Sequence, residues 1–442
     1  MFKPDLRFSL WFMMILVLLL TSCSGPGDAI DPQTIAQTEA AMTLAPQGTV
    51  QPPALLTPIA TLDSAGELRL WLSWDTHDLQ ALDRVIQLFM GEYPNVTLRI
   101  TYVHEDELYS ALRDVPPGEG PTVLLGPSQL GPRLWEAGRI QDIGDLISTD
   151  LHTNILPVAW TQAVYDGQTV GMPLALEGVL LYRNRDLVLT PAADVNELVS
   201  TSISLANQGL GIGSALDFGF NYSVSQLQAC GGSIYTADDF MGFGGSTGRC
   251  WLQLVKRLSE AGRVTLNTDD DLTLFAAGES AWLIDVAENA PALIGAIGED
   301  NLAIDNWPIY EVTQESMGGF VWTENAYIPT GITPTETATA WSFISFMLTP
   351  QVQLILAEPS GAWHIPVLDD LELESGLQIQ VAESLLQGIP LPMKSTLGQC
   401  IVGLENAVRL VAQQGADPIL GLYVVVADLE SVFPSTTPTP EG

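Results

Sequence analysis

The sequence predicts an α/β fold in which a mainly parallel sheet is flanked by helices. Two observations predict it. Period-two and helical patterns of apolar residues alternate from Gly66 onward, and a continuous globular segment of about 370 residues follows that point. Alternating strands and helices are typical of parallel sheets with right-handed crossover connections. A segment of this length exceeds what a single hydrophobic core usually serves, so we expect two domains.

The first elements follow one another as strand, helix, strand, helix, strand. Apolar side chains alternate along the first strand and then recur with helical spacing until Gly91 and Pro94 end the helix. In open sheets of this kind, ligands bind beyond the carboxyl ends of the strands, so residues there are candidates for a site. The predicted segments are residues 67–74, 79–90, 96–102, 106–112 and 122–125.

The amino terminus has the pattern of a secretory signal. An apolar run from Ser9 to Leu20 follows a short basic start, and the run is too short to span a bilayer comfortably. The ending Leu-Thr-Ser-Cys23 resembles the lipobox of bacterial lipoproteins. This resemblance implies that residues 1–22 are removed and that acyl chains on Cys23 tether the folded part to a membrane, outside the cytoplasm. The alternative is an uncleaved anchor helix with an incidental cysteine.

Composition indicates which parts of the chain are globular and which classes of partner it can bind. Residues 23–65 are rich in Pro, Thr, Ala and Gln and predict a flexible linker, while residues 433–442 predict a disordered tail. The net charge of −36 repels nucleic acid and anionic lipid headgroups, so we expect no nucleic-acid partner and membrane attachment through the lipid alone. With 47% hydrophobic residues, the rest of the chain is expected to be globular.

Cysteine usage fits an oxidising compartment. Cys230 with Cys250 is the preferred disulfide pair, whereas Cys400 has the apolar neighbours of a buried thiol. The histidines are scattered without metal-ligand spacing, and neither a complete dinucleotide loop nor a Walker sequence occurs. We therefore expect neither a metal nor a cofactor.

Several segments resemble, in order, those of extracellular solute-binding proteins of the maltose-binding type. The most specific runs from Asp166 through a Gly-x-Pro strand to Leu187, with Arg185 in place of the usual lysine. The others are residues 68–75, 137–143, 229–232, 275–285 and 337–348. The resemblance implies a two-lobe, type II periplasmic-binding-protein-like fold, in which hinge crossovers join two α/β lobes that close on a ligand.

The same resemblance implies function and organisation. Lobe one is expected at residues 66–175 plus 317–350, and lobe two at residues 176–316 plus 351–432. The protein would be a monomer that captures a small molecule, a sugar or oligosaccharide, between the lobes. It would have no enzymatic activity and would deliver its ligand to the permease of an ABC transporter.

The first candidate ligand residues lie where strands end. Asp75 and Trp74 close the first strand, and a carboxylate with an indole suits the hydroxyls and the C–H face of a sugar. The resemblance places Asp75 and the hinge residue Glu177 at positions that face ligand. Alternatively, Asp75 caps the following helix and Glu177 braces backbone amides.

Other candidates complete the expected cleft. Ser128 and Gln129 follow the third strand, and aromatic side chains could stack on sugar rings, although such clusters are more often core. The remaining candidates are Tyr109, Phe220, Tyr222, Asp285, Trp322 and Trp363.

One departure from the family pattern bears on the class of ligand. The family often has a stacking tryptophan where this chain has Val286-Ala-Glu288-Asn289. Carbohydrate remains the expected ligand, while abundant carboxylates would also suit a cationic ligand such as a polyamine.

Two rival functions remain open. Gly244-Gly-Ser246-Thr-Gly248 fits the pattern of a hydrolase nucleophile, with His364 as the base, but no apolar strand precedes Ser246. Capping of a helix that begins near Cys250 explains Ser246 better. A tethered glycan receptor or sensor that does not serve transport is the second alternative.

Overall fold

The computed structural model describes residues 65–74, 76–358 and 362–433. Its first part alternates strands and helices, because Leu68, Leu70 and Leu72 point to one face of the first strand and are fully buried. The elements are β1 (Gly66–Leu72), α1 (Thr76–Glu92), β2 (Val96–Tyr102), α2 (Glu105–Asp114), β3 (Val123–Pro127), α3 (Leu130–Glu136), α4 (Thr149–Asn154), α5 (Pro157–Trp160), β4 (Val164–Tyr165), β5 (Gln168–Thr169) and β6 (Met172–Asn184).

The middle of the chain continues the alternation. Its first helix begins at Asp194, whose side chain accepts a hydrogen bond from the Glu197 amide, and ends at Gly209 in the left-handed conformation. The elements are α6 (Val195–Gln208), β7 (Ser214–Asp217), α7 (Phe220–Ser223), α8 (Gly245–Leu258), β8 (Gly262–Thr265), α9 (Asp270–Ala276), β9 (Trp282–Val286), α10 (Ala290–Ile297), β10 (Leu302–Asp305), β11 (Ile309–Tyr310), β12 (Glu315–Ser316) and β13 (Phe320–Tyr327).

The last part is mainly helical. Thr333 and Glu336 form a capping box at its first helix, where each side chain accepts a hydrogen bond from the other residue's amide. The elements are α11 (Pro334–Met347), α12 (Pro350–Ala357), β14 (Ile365–Pro366), α13 (Gly376–Leu386), β15 (Ile389–Pro390), α14 (Leu397–Val408) and α15 (Pro418–Leu429).

The main sheet has the strand order β10-β6-β13-β3-β1-β2. β1 pairs in parallel with β2 and β3, which confirms the predicted parallel start. β13 then pairs antiparallel with both β3 and β6. The carboxyl ends of β1 and β3 therefore lie at the same edge of the sheet, beside residues of β13.

β6 belongs to two groups of strands. Its first half pairs with β13 and β14, and from Val179 onward it pairs with β9 and β10. Gly178 lies at the change, where a Cβ atom would stand 2.5 Å from the Phe320 carbonyl oxygen. Only glycine allows the two backbones to approach this closely.

Three strands converge on a second edge. β7 and β8 pair in parallel, and the Ala281 amide beside β9 donates to the Gly213 carbonyl beside β7. Asp217 is the last residue of β7, Thr265 ends β8 and Asp285 lies one residue before the end of β9. The three carboxyl ends form one surface, the location where open α/β sheets bind ligands.

Two large core clusters support these edges. The first packs α1 and α11 against the sheet and includes Val352, Leu356, Ile365 and Val381. Residues of this stretch share one cluster with the first strands and also with Leu283 and Leu302, so the placement of residues 351–432 in the second lobe stays a prediction. The long-range pairing of β14 with β6 at Ala175 and Leu176 brings this stretch to the main sheet. The second cluster lies around Trp251, Trp282 and Leu404.

The cysteines and Ser246 also have definite positions. A disulfide joins Cys230 to Cys250, with their Cα atoms 5.8 Å apart, while Cys400 is free and buried. The helix expected to begin near Cys250 begins instead at Gly245, with Gly244 as its N-cap. Ser246 is an exposed residue of its first turn and makes no side-chain capping bond.

Among the described residues, no single helix is long and apolar enough to cross a membrane. The bent pair α11 and α12, which meet at 62°, passes the test of length and composition when the two are taken together.

Candidate functional site

Two pairs of indoles and carboxylates meet where β1, β6 and β13 come together. The Trp74 Nε1 group donates a hydrogen bond to Glu324 Oε1 at 2.8 Å. The Trp322 Nε1 group donates to Glu177 Oε2 at 2.7 Å. Trp322 and Glu177 face each other in the antiparallel pairing of β13 with β6, which places their side chains on one face of the sheet.

His364 joins these pairs to α1. Its ring lies edge-on to Trp74, with 4.8 Å between the ring centroids, and its Nε2 atom lies 3.2 Å from Asp78 Oδ1. We call the residues Trp74, Asp78, Glu177, Trp322, Glu324 and His364 the hinge cluster. Within the described part of the chain, the buried His364 Nδ1 and Trp363 Nε1 atoms have no hydrogen-bond partner.

Burial governs the protonation of the hinge cluster. Burial raises the pKa of Glu324 well above its usual range, and the charges of Glu177, Glu105 and Asp78 add to this effect. Burial also raises the pKa of Glu177, against the opposing charge of His364. For His364, burial acts to lower the pKa, but the bond to Asp78 and nearby carboxylates raise it overall. Burial thus favours the neutral form of the two glutamates, whereas the bond to Asp78 favours the protonated form of His364.

A second site lies at the shared edge of β7, β8 and β9. It is a pocket of about 270 Å³, and we call it the acidic pocket. Aspartates and aromatic rings dominate its walls, and none of the residues that line it is a lysine, arginine or histidine. They are Asp217, Phe220, Asn221, Tyr222, Asn267, Thr268, Asp269, Asp271, Leu272, Asp285, Ile401 and Glu405.

Two of its buried aspartates are held by the protein itself. Asp217 accepts hydrogen bonds from the amides of Gly219, Asn267 and Thr268 and from the Thr265 hydroxyl. These donors fix the loops that follow β7 and β8.

Asp285 is held in a similar way. It accepts hydrogen bonds from the Val286 amide at 2.8 Å, from Asn289 Nδ2 at 3.0 Å and from the Tyr222 hydroxyl at 3.3 Å. Burial raises the pKa of Asp285 to about 6, in spite of these donors.

Asp271 differs from both. It is 3% exposed and lies in the first turn of α9, where the amides of Leu272 and Asp271 bond its carboxylate. Burial and the charges of Asp217 and Asp285 raise the pKa of Asp271 to about 7. Asp271 lies in the wall of the acidic pocket.

Comparison with known proteins identifies the family. Residues 84–381, about two thirds of the chain, match the sequence profile of the bacterial extracellular solute-binding proteins. The chain belongs to this family. As the family description implies, this solute-binding protein acts outside the cytoplasm. The maltotriose-binding protein of Pyrococcus abyssi (strain GE5 / Orsay) is 26% identical over 135 residues, which are 30% of this chain and 29% of that relative. The match thus spans less than a third of that relative's length.

Solved structures share the fold of this solute-binding protein. The maltotriose-bound MalE domain of Bdellovibrio bacteriovorus has a TM-score of 0.69 at 19% identity, over 83% of this chain and 99% of that one. The maltose-bound MalE3 of T. maritima has a TM-score of 0.72 at 14% identity, over 83% and 100%. The cyclic α-maltosyl-1,6-maltose binding protein of Arthrobacter globiformis has 0.70 at 15%, over 83% and 99%. These likenesses confirm the predicted two-lobe fold class.

The predicted ligand residues of the solute-binding protein fall into three groups. The first, Trp74, Glu177 and Trp322, meets in the hinge cluster, and Trp363 directly precedes His364 with its backbone in the left-handed conformation. The second group, Phe220, Tyr222 and Asp285, lines the acidic pocket. Asp75 and Cys23 lie outside the described residues.

The third group has other contacts. The Ser128 hydroxyl donates to Gln162 Oε1 at 3.0 Å, and both side chains are buried. Gln129 is the N-cap residue of α3. The Tyr109 ring lies 3.8 Å from the guanidinium carbon of Arg133. These contacts are within the protein, and ligand contact by this group stays a prediction.

The structure adds residues that the sequence did not indicate. Glu324 is buried in β13 between the buried polar residues Thr323 and Asn325, and a run of three polar residues within an otherwise apolar strand is the signal that could have revealed it. Asp217 ends a strand, as Asp75 does, and could have been found by the same argument. Asp271 stands among acidic residues whose burial cannot be read from the sequence.

Metal binding finds no support at either site. Among the described residues, no group of three His, Cys, Asp or Glu side chains is arranged to hold a metal ion.

Proposed function

We propose that this chain is a membrane-tethered lipoprotein that captures a sugar or oligosaccharide between its lobes and delivers it to an ABC permease. Cys23 would carry the lipid, and residues 23–65 would form the linker. The ligand would lie between the hinge cluster and the acidic pocket, in contact with Trp74, Asp75, Glu177, Tyr222 and Asp285.

The observation that supports this proposal most is the meeting of indoles and carboxylates at the hinge of a solute-binding fold. Indole faces pack against the C–H side of sugar rings, and carboxyl groups exchange hydrogen bonds with hydroxyls. The raised pKa values of Glu324 and Glu177 favour protonated carboxyls, which can both donate and accept hydrogen bonds and so suit hydroxyl groups.

The relatives support the same ligand class. The partial relative is a maltotriose-binding protein, and the two MalE structures hold maltotriose and maltose. The shared fold and the side-chain chemistry of the cleft are our reasons for extending this class to the present chain.

Titration calorimetry on the purified full-length protein in detergent tests the proposal. Maltotriose, or another neutral saccharide from a panel of mono- to tetrasaccharides, should bind, and scattering should show compaction of the protein on binding. Sugar phosphates should not bind, because no lysine or arginine lines the acidic pocket to offset their charge. A panel in which no saccharide binds would overturn the proposal.

Asp75 provides a sharper test. Changing Asp75→Ala should weaken saccharide binding by at least about 1.5 kcal/mol, through loss of hydrogen bonds to a charged group. The melting temperature without ligand should stay nearly the same. Unchanged affinity would show that Asp75 only caps α1.

Lipidation and transport need their own measurements. Mass spectrometry of the mature protein should find acyl chains on Cys23, and a C23A variant should be released from the membrane. Saccharide uptake by cells should require both this chain and a permease.

A further inference from the structure

Helix α15 is apolar on both of its sides, although only one side packs against the protein. The residues buried on that side recur with helical spacing and are Pro418, Gly421, Val425 and Leu429. On the other side, Ile419, Leu420 and Tyr423 are 54%, 52% and 73% exposed. We call these three side chains the apolar face of α15.

The apolar face differs from an ordinary helix surface. A helix at the surface of a globular protein usually has charged or polar side chains on its solvent side. Here no charged residue occurs from Pro418 to Ala427, and the first ones on either side are Asp417 and Asp428. Tyr423 follows the two aliphatic residues by three and four positions, so the three side chains are neighbours. A group of exposed apolar side chains of this kind indicates an interaction surface.

We propose that the apolar face of α15 rests on the membrane to which Cys23 is tethered, in the headgroup layer of neutral phospholipids. This inference rests on the lipid anchor of the proposed function and adds a second point of contact, which would fix the side of the protein that faces the bilayer. A tyrosine among aliphatic side chains suits this layer, because its ring is apolar and its hydroxyl can bond headgroups and water.

The tether keeps the bilayer within reach of α15. Residues 24–64 separate Cys23 from the described part of the chain. A stretch of this length can span at most about 140 Å when fully extended. The folded part, of about 370 residues, has an expected radius of gyration of only about 21 Å. Every side of it can therefore reach the bilayer, and tethering raises the effective concentration of that surface.

Charge favours a lipid surface over a second copy of the chain. Two copies that each have a net charge of −36 repel each other, whereas a neutral phospholipid surface does not repel the protein. Because the apolar face has no charged group, its contact with lipid removes no charge from water. The tail at residues 434–442 is no candidate to cover the face, since it contains no Ile, Leu, Val or aromatic residue.

Hydroxyl-radical footprinting read by mass spectrometry tests the assignment, because it reports the solvent access of individual side chains. The lipidated mature protein in phosphatidylcholine vesicles is compared with residues 23–442 carrying C23A, free in solution. Oxidation of Tyr423 should fall at least about threefold on the vesicles, since the side chain enters the headgroup layer. Tyr102, which is 56% exposed on β2, is the internal control and should be oxidised equally in both samples.

Two exposed positions supply matched variants. Leu420→Glu places a charge in the apolar face and should return the oxidation of Tyr423 on vesicles to the level found in solution. Ile100→Glu adds the same charge at an exposed position of β2 and should leave the protection of Tyr423 intact. An equal loss of protection in both variants would mean that net charge rather than this face governs the contact, and would overturn the inference.

Three other footprinting results would also overturn the inference. Equal and high oxidation of Tyr423 in both samples would mean that the face stays in water. Equal and low oxidation in both would mean that another segment of the chain covers it. Protection in solution that increases with protein concentration would assign the face to a second copy.

The outcomes separate this inference from the proposed function. A lipidated protein that binds maltotriose while Tyr423 stays accessible on vesicles would overturn the inference alone. Protection of Tyr423 in a protein that binds no saccharide would overturn the proposed ligand and support the membrane contact. A mature protein without lipid on Cys23 would overturn both the tether and the inference.

Discussion

The hinge cluster and the acidic pocket both bury carboxylates, but their partners differ. In the hinge cluster, the carboxyls of Glu177 and Glu324 accept hydrogen bonds from indoles, and His364 is a basic residue whose pKa is raised by its bond to Asp78. In the acidic pocket, backbone amides and neutral side chains are the donors, and no basic residue lines the walls. The difference teaches that the number of buried carboxylates does not by itself describe a site. What distinguishes the two regions is whether a basic side chain lies beside the carboxylates.

The junction between these regions should be the most sensitive position. Gly178→Ala would place a Cβ atom 2.5 Å from the Phe320 carbonyl and 2.8 Å from Leu385 Cδ2. Such overpacking should lower the free energy of unfolding by about 3 kcal/mol, measured by chemical denaturation. Gly398→Ala, at a helical position with nothing within 4 Å, is the control and should not destabilise. Equal stability of the two variants would mean that β6 and β13 can separate without cost.

The donors around Asp217 should have the next largest effect. Asp217→Asn would turn an amide group toward backbone amides that now donate to a carboxylate. We expect a loss of about 2 kcal/mol in the free energy of unfolding, as for hydrogen bonds to charged groups.

The matched control for Asp217 is Asp269→Asn, at an exposed position of the same pocket. It should change stability by less than about 0.5 kcal/mol. If both variants were equally stable, the loops after β7 and β8 would not depend on Asp217.

Stability should fall as the pH rises. The pKa values of Asp271 and Asp285 are about 7 and about 6 in the folded protein, above the usual 3.8. Between about pH 4 and 7 the folded state therefore binds more protons than the unfolded state, so raising the pH destabilises it. His364 acts in the same direction, because the stabilisation from its raised pKa is lost as it deprotonates.

Calorimetric melting temperatures between pH 5 and 8 check this expectation. They should decrease with pH, and the slope should be smaller in Asp271→Asn than in the unchanged protein. If Asp271→Asn and the unchanged protein showed the same slope of melting temperature against pH, the pH dependence would come from net charge and not from Asp271.

The smallest effect is expected in the hinge cluster. Burial raises the pKa of Glu324 and favours its neutral form, which Glu324→Gln imitates while it keeps an oxygen for the Trp74 indole. The change in unfolding free energy at pH 7 should be about 1 kcal/mol or less. A loss as large as that of Asp217→Asn would show that Glu324 is ionised, and would remove the contrast between the two regions.

Local patterns predicted much of the fold. The alternating Leu68, Leu70 and Leu72 indicated β1, and helical spacing followed by Gly91 and Pro94 indicated α1 with its end near Glu92. These elements follow from short-range periodicity, which the sequence shows directly. Residues 352–385 were harder to place, because their packing on the first core depends on the long-range pairing of β14 with β6.

The site could be predicted only in part, for a similar reason. Trp74 could be predicted because it ends a strand, and Glu177 because it lies in a recognisable motif. Their partners, Glu324 and Trp322, are more than a hundred residues away in the chain and are brought near by the fold. Glu324 was missed since Thr323 and Asn325 beside it are also polar and do not indicate a buried strand, and Asp271 since its burial depends on β7 and β9. Protonation of these groups is set by burial and by charges brought close in the fold, which no local pattern encodes.

β6 has a consequence for how the molecule unfolds. Its backbone supplies hydrogen bonds to β13 and β14 on one stretch and to β9 and β10 on the next. If the strands paired with one half of β6 melted, that half would lose its hydrogen-bond partners. The other half of β6, joined to it at Gly178, would then be destabilised as well. Heating should therefore give one cooperative heat-absorption peak with equal calorimetric and van't Hoff enthalpies, in place of the two transitions expected of independent domains.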